Sequence, residues 1–342
     1  MQTGLHKIKE IFPGFLAALA VAALAKWLES LLPIHLIGAS VIALFIGMGI
    51  NALRKPSKLF SAGLKFTSKK ILKFAIILLG ASLSIGTIMN VGRFSLTVMC
   101  FTLLTCFGGG YFIGRALSLN WKLSNLISAG TGICGGSAIA AIAPVIDAKD
   151  TDIAYAMSAT FLFDMAMIVL FPIMGSALGL SDMAYGLWSG TAVNDTSSVV
   201  AAGYAFSEAA GDFATMVKLT RTLAIIPTVI IFSLIQSNLQ RRNSGENASG
   251  AAVSIRTLFP WFILGFLVLA LLNSLGLIPS AVSAAMKAGS KFLMVSALAA
   301  IGMNTSFREM RRSGAMPMVH GFIISALVVI VAIAVEYAVG IV

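Results

Sequence analysis

Eleven apolar stretches follow one another along this chain, separated by short polar breaks. They fall near residues 11–28, 33–52, 71–88, 94–117, 122–147, 151–179, 182–206, 213–236, 258–278, 282–306 and 314–341. A helix crossing a bilayer needs about 20 such residues, so eleven would use about 220, some two thirds of the 342 present. Lipid offers no hydrogen-bond partners to the backbone, so a crossing segment must be a helix or part of a closed barrel. The short alternating strands of a barrel are missing from the pattern. The expected fold is therefore an all-α polytopic membrane protein of about eleven transmembrane helices, with no separate soluble domain. Charged residues make up 11% of the chain, against about 25% in soluble proteins. That scarcity excludes a soluble enzyme, a disordered tail and a secreted disulfide scaffold. Lys7 and Lys9 precede the apolar run from Phe12 to Leu28. With many spans downstream and no small-residue cleavage site, this run reads as an uncleaved first span rather than a signal peptide.

The basic residues set an orientation. Arg54 to Lys73, Arg115 and Lys122, Arg241 to Arg256, and Arg308 to Arg312 lie in loops that eleven spans put on one side, together with Lys7 and Lys9. That side is the cytoplasm, so the N-terminus is expected inside and the C-terminus outside. Asp147, Asp150 and Asp152, and also Glu208 and Asp212, fall on the opposite side. The net charge of +11 follows from these basic loops and does not imply a nucleic-acid partner. Residues 55–73 form either a basic helix on the inner leaflet or a solvated loop. Cys100, Cys106 and Cys134 are odd in number and lie in apolar segments, so they imply no disulfide framework.

SAIAAIA at Ser137–Ala143 matches SALAAIG at Ser296–Gly302 in five of seven positions. The same offset lays spans two, four and six near spans seven, nine and eleven. Five spans separate each pair, so paired helices run in opposite directions, the mark of an inverted-topology repeat. The expected division is an extra N-terminal span in 1–30, a first repeat in 31–180 and a second in 181–342.

Several spans carry groups that lipid penalises. GTGICGGSA at Gly130–Ala138 holds four glycines, each costing about 1 kcal/mol in a helix. They predict a break at membrane depth, with the N–H groups of Gly135, Gly136 and Ser137 starting a second half-helix whose positive end suits an anion. Gly132 and Cys134 belong to the same break. In span seven Thr191, Asp195 and Ser198 are spaced to share one helical face, with Asn194, Thr196 and Ser197 beside them. A carboxylate at the bilayer centre costs at least about 2.5 kcal/mol, which favours a functional role. Asp164 in span six, with Thr160 one turn earlier, is the second such carboxylate. Lys218 and Arg221 share a face of span eight, either snorkelling to the interface or pairing with Asp195 or an anionic substrate. Asn304 and Thr305 follow the repeated string in span ten, either lining the site or ending the helix. Glu336 and His320 read as residues near the two ends of the last span.

GTGICGGSAIAAIAPV, SGTAVNDTSSVVAAGY, MVKLTRTLAIIP and ALAAIGMNTSF, in that order, resemble the YeiH-like family of bacterial inner-membrane proteins that carry a sulfate-exporter label. The resemblance covers nearly the whole chain. That family is similar to the cation/proton antiporter and bile-acid sodium symporter group, so the resemblance implies that spans five and ten are crossing broken helices. Where many members have His-Asp or His-Glu, this chain has Asn194-Asp195, which puts a proton-handling role for that histidine in doubt here.

The expected function is secondary active transport of a small anion, sulfate or an organic sulfonate or carboxylate, by alternating access. Gly132, Cys134, Gly135, Gly136, Ser137, Asn194, Thr196, Ser197, Lys218, Arg221, Asn304 and Thr305 would bind the anion. Asp195, Asp164, Thr191 and Ser198 would carry H+ or Na+. A passive anion channel is the alternative. No enzymatic role, metal centre or cofactor beyond a coupling Na+ is expected. The partners are lipid, the anion and, for the assembly, a second copy in a homodimer.

Overall fold

A computed structural model describes residues 2–31, 39–244, 260–305 and 315–342, with side chains omitted for 2–9 and 240–244. Lys7, Lys9, Arg241, Arg242, Arg256, Arg308, Arg311, Arg312 and most of the polar linker at 240–254 thus lie outside what is described, fully or at the side chain. The described residues are mostly helical, joined by short turns, with no strand among them. In chain order they form α1 (Gln2–Leu31), α2 (Ala39–Leu53), α3 (Lys58–Phe66), α4 (Leu72–Gly80), α5 (Ile85–Leu104), α6 (Gly110–Ala116), α7 (Trp121–Ala129), α8 (Gly136–Ile142) and α9 (Asp150–Ala177). Then come α10 (Asp182–Ala192), α11 (Thr196–Phe206), α12 (Glu208–Thr222), α13 (Ile225–Ser244), α14 (Trp261–Ser274), α15 (Ser280–Asn304) and α16 (Ala315–Val339). Short π turns join α3 to α4, and α5 to α6, without interrupting the rod. Six helical rods among the described residues are long and apolar enough to cross a membrane, and α2 and α14 are shorter apolar helices.

Within residues 55–73 the loop is short, covering 55–57. From Lys58 onward the chain is the first half of a continuous rod that reaches Gly80, so this helix starts 13 residues before the expected span at 71. Lys58, Lys65, Lys69, Lys70 and Lys73 stay exposed along it.

The larger departure concerns spans five and seven, which do not run straight through. Lys122 Nζ, at the start of α7, donates to the Asp147 carbonyl at 2.7 Å. A straight helix would separate those residues by about 38 Å. The chain therefore turns at Gly135 and α8 folds back along α7. This is hairpin 1, residues 121–147. Likewise Ser207 Oγ donates to Asp182 Oδ1 at 2.6 Å, and the Tyr185 and Phe206 rings stack at 3.9 Å. The Tyr185 hydroxyl closes the pair on the Ala202 carbonyl at 2.9 Å. So α10 and α11 form hairpin 2, residues 182–206. Each opening is capped by a side chain: Asn120 accepts from the Lys122 N–H, and Ser181 from the Ala184 N–H. These caps satisfy donors that a helix start leaves free.

The two hairpins point at one another. The long helix α9 joins the open end of hairpin 1 to the open end of hairpin 2, about 42 Å away. Asp164, about 21 Å along it, touches the turn of hairpin 2. Thr160, one turn earlier, lies against Gly130 of hairpin 1. Both turns thus meet at the middle of α9. Most residues of the two hairpins are buried, as non-helical backbone at membrane depth must be.

Helices pack in two groups. Helices α1, α2, α3–α4, α14 and α15 pack on one another. A Cβ on Gly302 of α15 would lie 2.1 Å from the Leu44 carbonyl of α2, so only glycine permits that helix pair to approach so closely. The second group comprises α5–α6, both hairpins, α9, α12–α13 and α16. Helix α11 meets α2 and α15 across the boundary. Two ion pairs also bridge it: Lys287 to Asp212 and Lys291 to Glu208, both at 2.6 Å.

Span ten corrects a further expectation. Helix α15 is unbroken from Ser280 to Asn304. The broken partner of span five is span seven, and the matching Ala-rich strings fall on the returning arm of a hairpin and on a continuous helix.

Candidate functional site

Hairpin 1 reverses through a π turn, Gly130–Cys134, ending at Gly135 with φ +66° and ψ −136°. That conformation is open to glycine and strained for other residues. A Cβ there would also lie 3.0 Å from Asp195 Cβ and Oδ1. The glycine therefore both makes the reversal and lets the turn of hairpin 2 come against it.

Hairpin 2 reverses without glycine. Helix α10 ends at Ala192, Val193 is extended, and Asp195 is the N-cap of α11. Its Oδ2 accepts from the Ser197 N–H at 2.9 Å and from the Ser197 hydroxyl. The expected single face of Thr191, Asp195 and Ser198 is thereby lost, because the helix stops between the first two. Thr191 gives its hydroxyl to the Leu187 and Trp188 carbonyls, while Ser198 Oγ is buried without a partner.

Asp164 is wholly buried. Its Oδ1 accepts from the Asn194 N–H at 2.9 Å and its Oδ2 from the Asp195 N–H at 2.8 Å. Both oxygens hold the backbone of the hairpin 2 turn. Arg221, 1% exposed, holds both turns together. Its Nε donates to the Gly132 carbonyl and its Nη2 to the Thr131 carbonyl, each at 2.6 Å, and its Nη1 donates to the Thr191 carbonyl. Lys218 Nζ donates to the Val193 carbonyl at 2.9 Å. These carbonyls close the entering arms, where a helix dipole is negative and a cation is stabilising. Lys218 and Arg221 are thus buried rather than snorkelling. The Arg221 fork is engaged on backbone carbonyls of both turns and clamps them together.

What remains open is the rim. Ser137 is exposed, and Gly136, Asp195 and Thr196 are half-buried. Gly132, Cys134, Asn194 and Ser197 lie behind them, buried. In the other helix group, Lys73 of α4 is exposed, its Nζ 5.4 Å from the centre of the Phe262 ring. It ends a stripe, Lys65–Lys69–Lys73, spaced four residues apart on one helical face.

Asn304 and Thr305 are not part of this site. Lys287 pairs with Asp212 near the open end of hairpin 2, and Asn304 is about 26 Å further along α15. Asn304 is exposed, and the Thr305 hydroxyl donates to its own helix at Ile301. Glu336 is wholly buried, with neither carboxylate oxygen partnered, so it is no interfacial residue. His320 is also buried, its Nε2 within 3.1 Å of Ser124 Oγ and of the Gly110 carbonyl. Sequence reasoning passed over Ser325 of α16, which reaches both hairpin turns, and the α12–α15 ion pairs. Neither has a local motif.

A family model described as "Conserved hypothetical protein 698" matches residues 13–321. The chain belongs to this family, the YeiH-like one that its motifs resemble. A UPF0324 membrane protein of Clostridium tetani is 54% identical over 340 residues, covering 97% of this chain and 99% of that protein. A UPF0324 membrane protein of Streptococcus pneumoniae serotype 4 is 39% identical over 336 residues, covering 96% and 97%. One from Streptococcus pyogenes serotype M6 is 39% identical over 349 residues, covering both chains fully. Membership in this family and the apolar helices make the chain a polytopic membrane protein.

Proposed function

We propose that this protein is a secondary active transporter of a small anion, working by alternating access and coupled to a cation. The observation that carries the reading is the meeting of two opposed hairpin turns at mid-depth, beside a boundary between two helix groups. Half-helix ends and irregular backbone at membrane depth belong to transport sites. Movement of the hairpin group along the α1–α2–α3/α4–α14–α15 group would carry the rim from one face to the other.

The rim offers an anion the Gly136 and Ser137 N–H groups and the Ser137 and Thr196 hydroxyls. The lysine stripe ending at Lys73 would attract it from the facing group. Asp195 at the rim and Asp164 behind it balance two buried cations, Lys218 and Arg221. An anion entering this neutral centre meets the Asp195 carboxylate, so a proton or Na+ must neutralise it first. That requirement is the proposed basis of coupling. Sulfate, a sulfonate or a carboxylate fits this chemistry, and the reading assigns no catalysis.

The orientation drawn from the basic loops carries over, because two hairpins that return to their own side reverse α9 between them and leave the direction of the other spans unchanged. The N-terminus stays inside and the C-terminus outside the bacterial inner membrane; Asp147 to Asp152 move to the cytoplasmic side. The 31–180 and 181–342 halves would be replaced by hairpin 1 with α9 and hairpin 2 with α12–α13 as the inverted pair.

The test is uptake of radioactive sulfate into proteoliposomes under imposed pH, Na+ and voltage gradients. Saturable uptake driven by a cation gradient is the expected result. Non-saturating flux that follows voltage alone would establish a channel instead.

A further inference from the structure

The rod α3–α4 carries exposed lysines at a level where its neighbours are apolar. Two contacts set that level against α15. The Ser283 hydroxyl donates to the Ala81 carbonyl at 2.9 Å, and the Ser290 hydroxyl to the Ala75 carbonyl at 2.6 Å. The two helices therefore run in opposite directions, and Lys73 lies level with Phe292, the midpoint of the 25-residue α15. A third contact sets the level against α1, where a Cβ on Gly63 would lie 2.6 Å from the Gly14 Cα. Phe292 shares a groove with Ala23 and Trp27 of α1, so α1 runs the same way as α3–α4. Counting on from Gly14 and Gly63 in step, Lys65, Lys69 and Lys73 come level with Leu16, Ala20 and Leu24. Both neighbours are long and apolar enough to cross a membrane over Glu10–Leu31 and Ser280–Asn304. The stripe thus covers about 12 Å of the hydrocarbon depth, with Lys69 close to the middle.

A lysine at the centre of a span costs about 2.5–3.5 kcal/mol in lipid, and snorkelling relieves that cost only near a helix end. Among the described residues no carboxylate pairs with Lys65 or Lys69, and Lys73 meets the Phe262 ring. All three are exposed. Lys73, Ile77 and Gly80 share one face, and that face packs on Phe262, Gly265 and Phe266 of α14. Helix α14 begins at Trp261, so it covers the face only from Lys73 toward Gly80. Lys69 and Lys65 continue the face beyond it. Helix α14 also touches α5 of the hairpin group, which turns this face toward the boundary between the two groups. Lys69 lies in the π turn Thr67–Ile71, and such turns are frequent at functional sites.

We propose that Lys65, Lys69 and Lys73 line a water-filled vestibule within the membrane that takes small oxyanions. Water at this face removes the cost that lipid would impose on three charges. Like charges between low-dielectric walls concentrate anions and repel cations. The outer side is latched in the same structure by Lys287 on Asp212 and Lys291 on Glu208, so the vestibule opens toward the cytoplasm and leads to the hairpin turns. The destination and the side of opening rest on the transport reading; the wet, anion-attracting face does not.

The experiment uses the full chain in proteoliposomes, in a background without Cys100, Cys106 and Cys134. Lys65→Cys, Lys69→Cys and Lys73→Cys are each treated with an anionic and a cationic methanethiosulfonate. These reagents attack the thiolate and so leave a cysteine in lipid untouched. Leu104→Cys, at an exposed apolar position of α5, is the lipid-facing control. All three lysine positions should react from the cytoplasmic face alone. After correction for rates with a free thiol, the anionic reagent should react at least about tenfold faster, and sulfate should slow it. Acylation of wild type by an impermeant reagent, read by mass spectrometry, gives the same answer without a variant: Lys65, Lys69 and Lys73 should be modified, and less so in sulfate. Cysteines at 69 and 73 as inert as Leu104→Cys, with these lysines unmodified in wild type, overturn the vestibule. Equal corrected rates for the two reagents overturn its anion preference, and reaction from the outer face overturns its inward opening. Reactivity found only in vesicles lacking phosphatidylglycerol would assign the stripe to lipid headgroups and overturn it as well. Cation-driven anion uptake by a protein with an inert stripe sinks the vestibule and leaves the transport reading standing; a reactive stripe without anion flux does the reverse.

Discussion

Asp195→Asn isolates the coupling argument. Asn caps a helix as well as Asp does, so the Ser197 N–H keeps its partner and the turn keeps its shape; only the charge leaves. A Cβ on Gly135 would lie 3.0 Å from the Asp195 carboxylate, and Gly136 is the next residue. An anion held on the Gly136 and Ser137 N–H groups would therefore sit about 5 Å from the carboxylate. At an effective dielectric near 20, two like charges at that distance repel by about 3.3 kcal/mol. Removing the charge should tighten binding of a monovalent anion by roughly 200-fold. Calorimetric titration of a monovalent sulfonate into wild type and Asp195→Asn measures this directly. Transport should uncouple, with exchange of anion retained and concentration against a gradient lost. A folded Asp195→Asn protein with unchanged affinity would refute the reasoning.

Three further outcomes follow from the geometry. In a background without Cys100, Cys106 and Cys134, single cysteines at Asn120 and Lys149 should both react with an impermeant reagent from the same membrane face; reaction from opposite faces would restore a straight span five. Arg221→Gln removes a buried charge from three carbonyls, which should cost about 3–5 kcal/mol, read as a large fall in melting temperature, with Arg221→Lys recovering only part. Lys287→Ala with Lys291→Ala breaks two partly exposed pairs worth about 1 kcal/mol or less each. Thermal stability should barely change, while cysteine accessibility at the α11–α15 boundary rises; unchanged accessibility would show that the pairs do not hold the groups together.

Much of the site was legible residue by residue. The glycines of Gly130–Gly136 announced a break, and the half-helix beginning at Gly136 is where they placed it. The Asn194-Asp195-Thr196-Ser197 string carries an N-cap signal. Read as a polar helix face, it marked the residues that form the hairpin 2 turn and the α11 cap, through the wrong geometry. Lys218 and Arg221 do share a face, but only the carbonyls of two distant turns reveal that Arg221 is a clamp. Ser325 sits in an unremarkable apolar run and becomes notable only through what surrounds it.

Hydropathy counts apolar residues and so determines that the chain is helical and lives in a membrane. It cannot tell a helix that crosses from two half-length helices that turn back, because both bury the same residues in the same low-dielectric interior. Loop charges share that blindness, since two returning segments preserve the alternation of sides. The distinction was made by long-range contacts: Lys122 on Asp147, Tyr185 on Phe206, Asp164 under the Asn194-Asp195 turn. Each joins residues that local propensity treats as independent, and the Asp164 contact exists because backbone groups freed at a mid-membrane turn must find partners inside the protein. The sequence therefore determined the solvent and the chemical groups. The tertiary structure decided which of those groups face one another, and hence where an ion could bind.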